Sequence, residues 1–323
     1  MHERVIIVIL IKMLRFVVAA VLASVLALHG YSKRSLNGSG AIAAFFVGFI
    51  SFAASYRFGI ILILFYYTSS KLTKMKEKVK ATLEDDYLKG GNRGIVQVLA
   101  CSFLGTLSCL LYFYFVGEDS RVNFNDNSSQ AVDFIFFSMP KEKAAAYLWS
   151  MYIAHYSCAA ADTWASEIGI LSTSKPRLVT TLLLREVPHG TNGGISFLGT
   201  IASMAGGALI GASFCALPLG NDSQLLNNRS QYPMVFVGLL LGFLGSLIDS
   251  FLGATVQATY YSFERKSIVK SPGILNEEIG HICGINLLSN EAVNLISIFF
   301  TMLLSLWVSP AVFCFCDSNQ CIN

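Results

Sequence analysis

Long apolar runs separated by short polar stretches set the rhythm of this chain. A membrane-spanning helix needs about 20 mostly apolar residues. Eight segments approach that length: Val5 to Leu28, Ser39 to Ser55, Phe58 to Ser70, Ile95 to Val116, Ala144 to Asp162, Ser196 to Leu217, Met234 to Tyr261 and Val293 to Phe315. The third is short, as for a tilted or re-entrant segment. The pattern predicts an all-α, polytopic integral membrane bundle of about eight transmembrane helices, with residues 1–323 forming a single membrane domain.

Composition agrees with the pattern. Of 323 residues, 54% are apolar and only 13% charged, and the mean hydropathy of +0.58 lies outside the range of ordinary soluble domains. The first run carries Lys12 and Arg15 and has no small-residue cleavage site before Tyr31, so it reads as a span and not as a secretory signal. Alternation then puts Lys33, Arg34 and the polar segments 71–94, 163–195 and 262–289 on one side, with most of the Lys and Arg. The positive-inside rule makes that side cytosolic. Glycosylation sequons at Asn127, Asn221 and Asn228 fall on the opposite side and only that at Asn37 on the cytosolic one, which fits eight spans with both termini lumenal. An endomembrane such as the endoplasmic reticulum is the expected residence.

The cysteines show no CxxC pair and no metal-ligand spacing. Cys101, Cys109, Cys158 and Cys215 lie inside runs and read as small packing residues, while Cys314, Cys316 and Cys321 crowd a tail where a disulfide is chemically feasible. Small residues at four-residue spacing mark the sixth and seventh runs, from Gly199 to Gly211 and from Gly238 to Gly253, and predict close helix packing.

Two aspartates sit where hydrocarbon is most hostile to them. Asp162 closes the fifth run and Asp249 lies in the middle of the seventh. An ionised side chain there costs at least ~2.5 kcal/mol, so it is retained where it faces a partner, a cation or a cavity. Ser246, Asp249 and Ser250 share a helix face, which turns one polar stripe inward. Asp162, Ser166 and Glu167 offer hard oxygen ligands of the kind Mg2+ accepts, although Asp162 would also serve as the N-cap of a short helix. Gly190, Thr191, Asn192, Gly193 and Gly194 form a glycine-rich loop ahead of the sixth run, where backbone amides and a helix dipole suit phosphate. Lys71, Lys74 and Lys78 share a helical face; they serve as a topology signal or lipid contact, or Lys71 and Lys74 reach a phosphate. His189 is read as an ordinary loop residue, and Asn294 as a buried interhelical hydrogen-bonding group. The residues alone favour chemistry on a membrane-dissolved phosphate ester, with a transporter or flippase of a phosphorylated lipid as the alternative, Asp249 then binding a coupling ion.

Several stretches resemble a known family. AADTWASEIG (160–169), PRLVTT (176–181), VPHGTNGGIS (187–196), GFLGSLIDSFLGATVQ (242–257) and NEAVNLIS (290–297), extended by SLNGSGAIAAFFVG (35–48) and SSKLTK (69–74), look like the motifs of the transmembrane protein 19 family, which includes the plant phytyl-phosphate kinase of vitamin E synthesis. The resemblance implies a CTP-dependent kinase that converts a prenyl monophosphate into its diphosphate, with Mg2+ as cofactor. Its partners would be membrane lipid, a prenyl phosphate and a nucleoside triphosphate, with no nucleic acid. On the matching positions Asp162 and Asp249 become the expected catalytic residues and Asp162, Glu167 and Asp249 the metal ligands; Lys71, Lys74, Asn192 and the glycine-rich loop handle phosphate. Residues 90–100 depart from the family pattern, with Ile95 in place of an aromatic and Cys101–Ser102 in place of Asn-Gly, which argues against a direct role for that segment. The N-terminus lacks the Arg- and Ser-rich character of a transit peptide, so the chain looks animal-type and its substrate need not be phytyl phosphate.

Overall fold

The computed structural model describes residues 2–75, 92–117, 121–125, 131–134, 137–181, 185–217, 231–269 and 278–320. Lys76, Lys78, Lys80, the sequons at Asn127, Asn221 and Asn228, and Cys321 lie outside them. The helices among the described residues are α1 (His2–Ser32), α2 (Gly38–Ala54), α3 (Tyr56–Met75), α4 (Ile95–Ala100), α5 (Phe103–Phe115), α6 (Lys141–Gly169), α7 (Phe197–Ala216), α8 (Pro233–Val256) and α9 (Asn290–Gln320).

The fold organises around α6. Every residue from Ala144 to Ala161 is buried except Tyr147 and Met151, and α3, α5, α7, α8 and α9 pack around it. A helix buried on all sides is a core element, which explains why alanine and aromatic residues crowd it. In its N-terminal half Trp149 stacks on Phe58 with centroids 3.9 Å apart. Arg57, only 1% exposed, lays its guanidinium over Phe214 at 4.0 Å and over Trp149 at 4.9 Å, an arrangement in which the aromatic faces offset part of the cost of burying a cation. The Tyr152 hydroxyl donates to the Phe58 carbonyl at 2.6 Å, tying α3 to α6.

Close packing of α7 on α8 follows from their glycines. A Cβ on Gly207 would stand 2.2 Å from the Gly238 carbonyl oxygen, and one on Gly211 2.1 Å from that of Met234. The two backbones therefore touch directly, as small residues in membrane helices permit.

Three expectations need correction. Among the described residues four helical stretches are long and apolar enough to cross a membrane, namely Met13–Ser32, Phe197–Ala216, Pro233–Val256 and Asn290–Cys316. The protein is thus multi-pass, but eight full spans are not established by length and composition. The fourth run is broken, because α4 stops at Ala100 and α5 starts at Phe103. Ser102 Oγ donates to the Val98 carbonyl at 2.6 Å, while His155 Nε2 on α6 lies 2.9 Å from the Cys101 carbonyl oxygen. These side chains serve backbone groups that an uninterrupted helix would have satisfied itself. Cys101 accordingly sits at a helix break.

The seventh run also ends early, at Val256. The Ile285 amide donates to the Thr255 carbonyl at 3.0 Å and the Leu287 and Leu288 amides to that of Val256 at 3.1 Å, so an outside segment takes over the last helical acceptors. Residues beyond Gln257 pair as strands, and the molecule is not purely α. β5 (Thr259–Ser262) lies between β6 (Ser267–Val269) and β7 (Ile279–Cys283) in an antiparallel three-stranded sheet. Two short hairpin-like pairs complete the strands: β1 (Ala131–Phe134) with β2 (Phe137–Pro140), and β3 (Arg177–Leu178) with β4 (Gly194–Ile195).

Candidate active site

α6, α8 and α9 bring their polar residues to one point. The Asp249 carboxyl on α8 and that of Asp162 on α6 line one cavity within interaction range of each other. Ser297 on α9 donates to Asp249 Oδ2 at 2.8 Å, and Asn294, one turn earlier with its amide nitrogen turned toward α8, donates to the same oxygen at 3.2 Å. Asp162 lies inside the continuous 29-residue α6 and is not an N-cap. Two carboxyls so placed need a shared proton or a cation between them, since like charges at that range oppose joint ionisation.

The pair faces a cavity of about 930 Å³. Glu167 and Ser166 from the end of α6, Ser246 and Ser250 from α8, and Asn290 and Asn294 from α9 line it alongside the aspartates. Among the described residues no group of three or more His, Cys, Asp or Glu side chains forms a metal cage. Mg2+ does not require one. It binds through one or two carboxylates, keeping waters and substrate phosphates as its other ligands, and Asp162 with Asp249, opening on a cavity, is a donor set of that kind.

The glycine-rich loop also lines the cavity, from His189 to Gly194. Gly190 and Gly193 have φ of +85° and +72°, and a Cβ on Gly193 would meet Ala254 Cβ at 2.4 Å. Both reasons require glycine there. The loop is anchored through its own polar groups: the Thr191 hydroxyl donates to Pro188 O at 2.7 Å, the Asn192 amide to Thr259 Oγ1 at 3.3 Å, and the Gly194 amide to Thr191 O at 3.0 Å. The Cys283 thiol donates to Asn192 O at 3.4 Å; burial pushes this thiol up, ahead of the opposing effect of its Thr259 hydrogen bond. The start of α7 is capped by Ser196, whose Oγ accepts from the Gly199 amide at 3.1 Å. Of the amides that sequence reasoning assigned to phosphate, that of Asn192 thus binds β5 and that of Gly194 closes the loop on itself.

Cations are distributed differently from the sequence expectation. Lys71 and Lys74 are exposed and do not line the cavity; Lys74 Nζ donates to the Lys33 carbonyl at 3.3 Å. Arg185 donates to Ile282 O at 3.0 Å and Arg177 is exposed on β3. Arg93 does line it. Its Nη1 donates to Ser70 Oγ at 3.3 Å, and it shares the electrostatic environment of the Cys101 thiol with Asp162 and Asp249.

Local sequence fixes Arg93 there. Its amide donates to Ser35 O at 3.0 Å and its carbonyl accepts from the Asn37 amide at 3.1 Å, forming a parallel bridge with the segment entering α2. Asn37 Oδ1 caps α2 through the Gly40 amide at 2.8 Å, and a Cβ on Gly40 would fall 2.1 Å from Arg93 O. The SLNGSG stretch is therefore the seat of Arg93. The segment that departs from the family pattern is at the site after all, since Gln97, Cys101 and Ser102 line the cavity with Arg93. Its approach was hidden because a lone arginine beside an apolar run reads as a topology signal.

Comparison with known proteins matches this architecture to a family. Residues 21–302 fit the model of Integral membrane protein DUF92. The chain is 34% identical to Protein PGR of Arabidopsis thaliana over 93% of its own length and 98% of the relative's. It is 30% identical to an uncharacterized membrane protein of Methanocaldococcus jannaschii over 82% and 88%, and 25% identical to Protein VTE6, chloroplastic, of Arabidopsis thaliana over 69% and 56%. No solved structure matches. The motif resemblance to a plant relative is thereby borne out, and the chain belongs to the DUF92 family of integral membrane proteins.

Proposed function

We propose that the cavity transfers a phosphoryl group from a nucleoside triphosphate, CTP by the family resemblance, to a prenyl monophosphate dissolved in the membrane. One observation carries the reading: a single cavity joins a polar end, holding Asp162, Asp249, Arg93 and the glycine-rich loop, to an apolar arm lined by Val47, Leu62 and Phe65. Such a shape suits an amphiphile with an anionic head.

In the reaction an oxygen of the prenyl monophosphate forms a bond to the γ-phosphorus. The bond from that phosphorus to the βγ-bridging oxygen breaks, and the nucleoside diphosphate leaves with the electron pair. The acceptor oxygen is already anionic, so positioning and charge neutralisation matter more than a base. Asp162 and Asp249 would hold Mg2+, which when bound neutralises charge on the transferring phosphoryl group. Ser297 and Asn294 orient Asp249. Arg93, steadied by Ser70, holds an acceptor phosphate oxygen, and Asn192 with Glu167 borders the donor end. The excess of Lys and Arg in the loops of this face supports a cytosolic orientation. The relative from Arabidopsis thaliana that is named as chloroplastic lends no support to the expected residence in the endoplasmic reticulum.

The test is a purified, detergent-solubilised preparation given CTP, ATP, GTP or UTP, each γ-labelled, with phytyl, farnesyl or geranylgeranyl phosphate. Labelled prenyl diphosphate is expected, with CTP preferred. No transfer from any donor to any acceptor would remove the kinase reading. A second reading is favoured by the helix break at Cys101–Ser102, which lines the same cavity as the two aspartates, because broken helices and protonatable pairs also build ion-coupled transporters. Prenyl-phosphate flux in liposomes without nucleotide, lost in Asp249→Asn, would support it.

A further inference from the structure

The apolar arm has a measurable depth. On α3, Leu62, Tyr66, Ser70 and Thr73 recur at three- and four-residue spacing and all but Ser70 line the cavity, while Ser70 itself holds Arg93. This stripe grades from apolar to polar along one face. On α2, Ala44, Val47 and Gly48 line the same cavity, and Gly40 marks the level of Arg93 by its contact with that residue's carbonyl oxygen.

The two helices give the same length independently. Eight residues separate Ser70 from Leu62, and eight separate Gly40 from Gly48; at 1.5 Å per residue each interval is about 12 Å. An extended chain advances about 3.5 Å per three backbone bonds, so an isoprene unit of four such bonds advances ~4.5 Å and roughly three units fill the arm. Among the described residues none of those lining this interval is charged: Leu26 and Ala27 of α1, Val47 of α2, and Leu62 and Phe65 of α3 line the cavity.

We infer that this arm is a chain-length gauge, seating about three isoprene units of a prenyl phosphate whose head lies at Arg93. The inference rests on the prenyl-phosphate reading of the site and adds to it the size of the tail. Carbon beyond the third unit extends past Leu62 and Gly48 and gains no further contact within the arm. Ala44 is the gate residue, half-way along the α2 interval.

Binding of purified full-length protein is measured by native mass spectrometry without nucleotide, against prenyl monophosphates of one to four isoprene units. Inorganic phosphate and farnesol separate head from tail. Each methylene newly buried is worth about fourfold in affinity, so dissociation constants should fall steeply up to farnesyl phosphate and level off at geranylgeranyl phosphate. Ala44→Phe should move the plateau to shorter chains, and Leu62→Ala should move it to longer ones. Affinity that ignores chain length, or that keeps rising through four units, would overturn the gauge, as would a plateau unmoved in both variants. Failure of nucleotide transfer with an intact plateau would instead count against the kinase reading alone.

Discussion

In the proposed reaction Asp249 is the pivotal residue, because it joins three helices: it lies within interaction range of Asp162 of α6 and accepts from Ser297 and Asn294 of α9. Asp162→Asn and Asp249→Asn keep the shape and remove the charge. Each is expected to lower phosphate transfer by about a hundredfold or more, the scale seen when one electrostatic contact to a reacting group is lost. Ser297→Ala removes a hydrogen bond to a carboxylate, worth about 1.5–3 kcal/mol, and should cost roughly ten- to a hundredfold while leaving expression intact. Arg93 gives a sharper discrimination. Arg93→Gln should raise KM for prenyl phosphate strongly and Arg93→Lys should restore only part of it, since a guanidinium fork and a point charge differ; Lys74→Gln should stay near wild type. Kinetics of the three variants side by side would expose the error if Lys74→Gln proved the damaging one. Cys283 offers a pH test outside the membrane helices. Burial raises its thiol, so little thiolate exists at neutral pH, and alkylation by iodoacetamide should be slow until pH rises or the protein is denatured, as mass analysis of its peptide would report.

At the scale of elements, the α7–α8 contact is the most sequence-legible feature and the easiest to break. Gly211→Val would drive a side chain into the Met234 carbonyl, against which even a Cβ would stand at 2.1 Å. The helices must separate, with loss of several kcal/mol and a lower melting temperature in detergent. Gly38→Ala is the matched control, because nothing lies within 4 Å of its Cβ position; equal melting temperatures for the two variants would contradict the packing account. Small-residue spacing foretold this interface because packing of that kind is written locally in sequence. The break between α4 and α5 was not foretold. The run from Ile95 to Val116 has no charged residue and no proline, and the partner that stabilises the turn, His155, comes from a helix 54 residues away in sequence. Likewise the end of α8 at Val256 depends on amides of Ile285, Leu287 and Leu288 that no window around residue 256 contains.

For the whole molecule, sequence located both aspartates and the glycine-rich loop but not the cation facing them. Lys71 and Lys74 were favoured by number and position; Arg93 reaches the cavity because the turn from Ser35 to Asn37 pairs with it, a tertiary contact without a local signature. What unites the site is the burial of α6, which lets helices from both halves of the chain converge on Asp162. The central claim is that this convergence makes one phosphate-transfer site, and the most direct test is transfer of label from γ-labelled CTP to farnesyl phosphate by the purified wild type, Asp162→Asn and Asp249→Asn proteins. The account predicts labelled farnesyl diphosphate from the wild type and its loss in both variants, each still folded by thermal melting. Undiminished transfer in either folded variant, or none from the wild type, would contradict it.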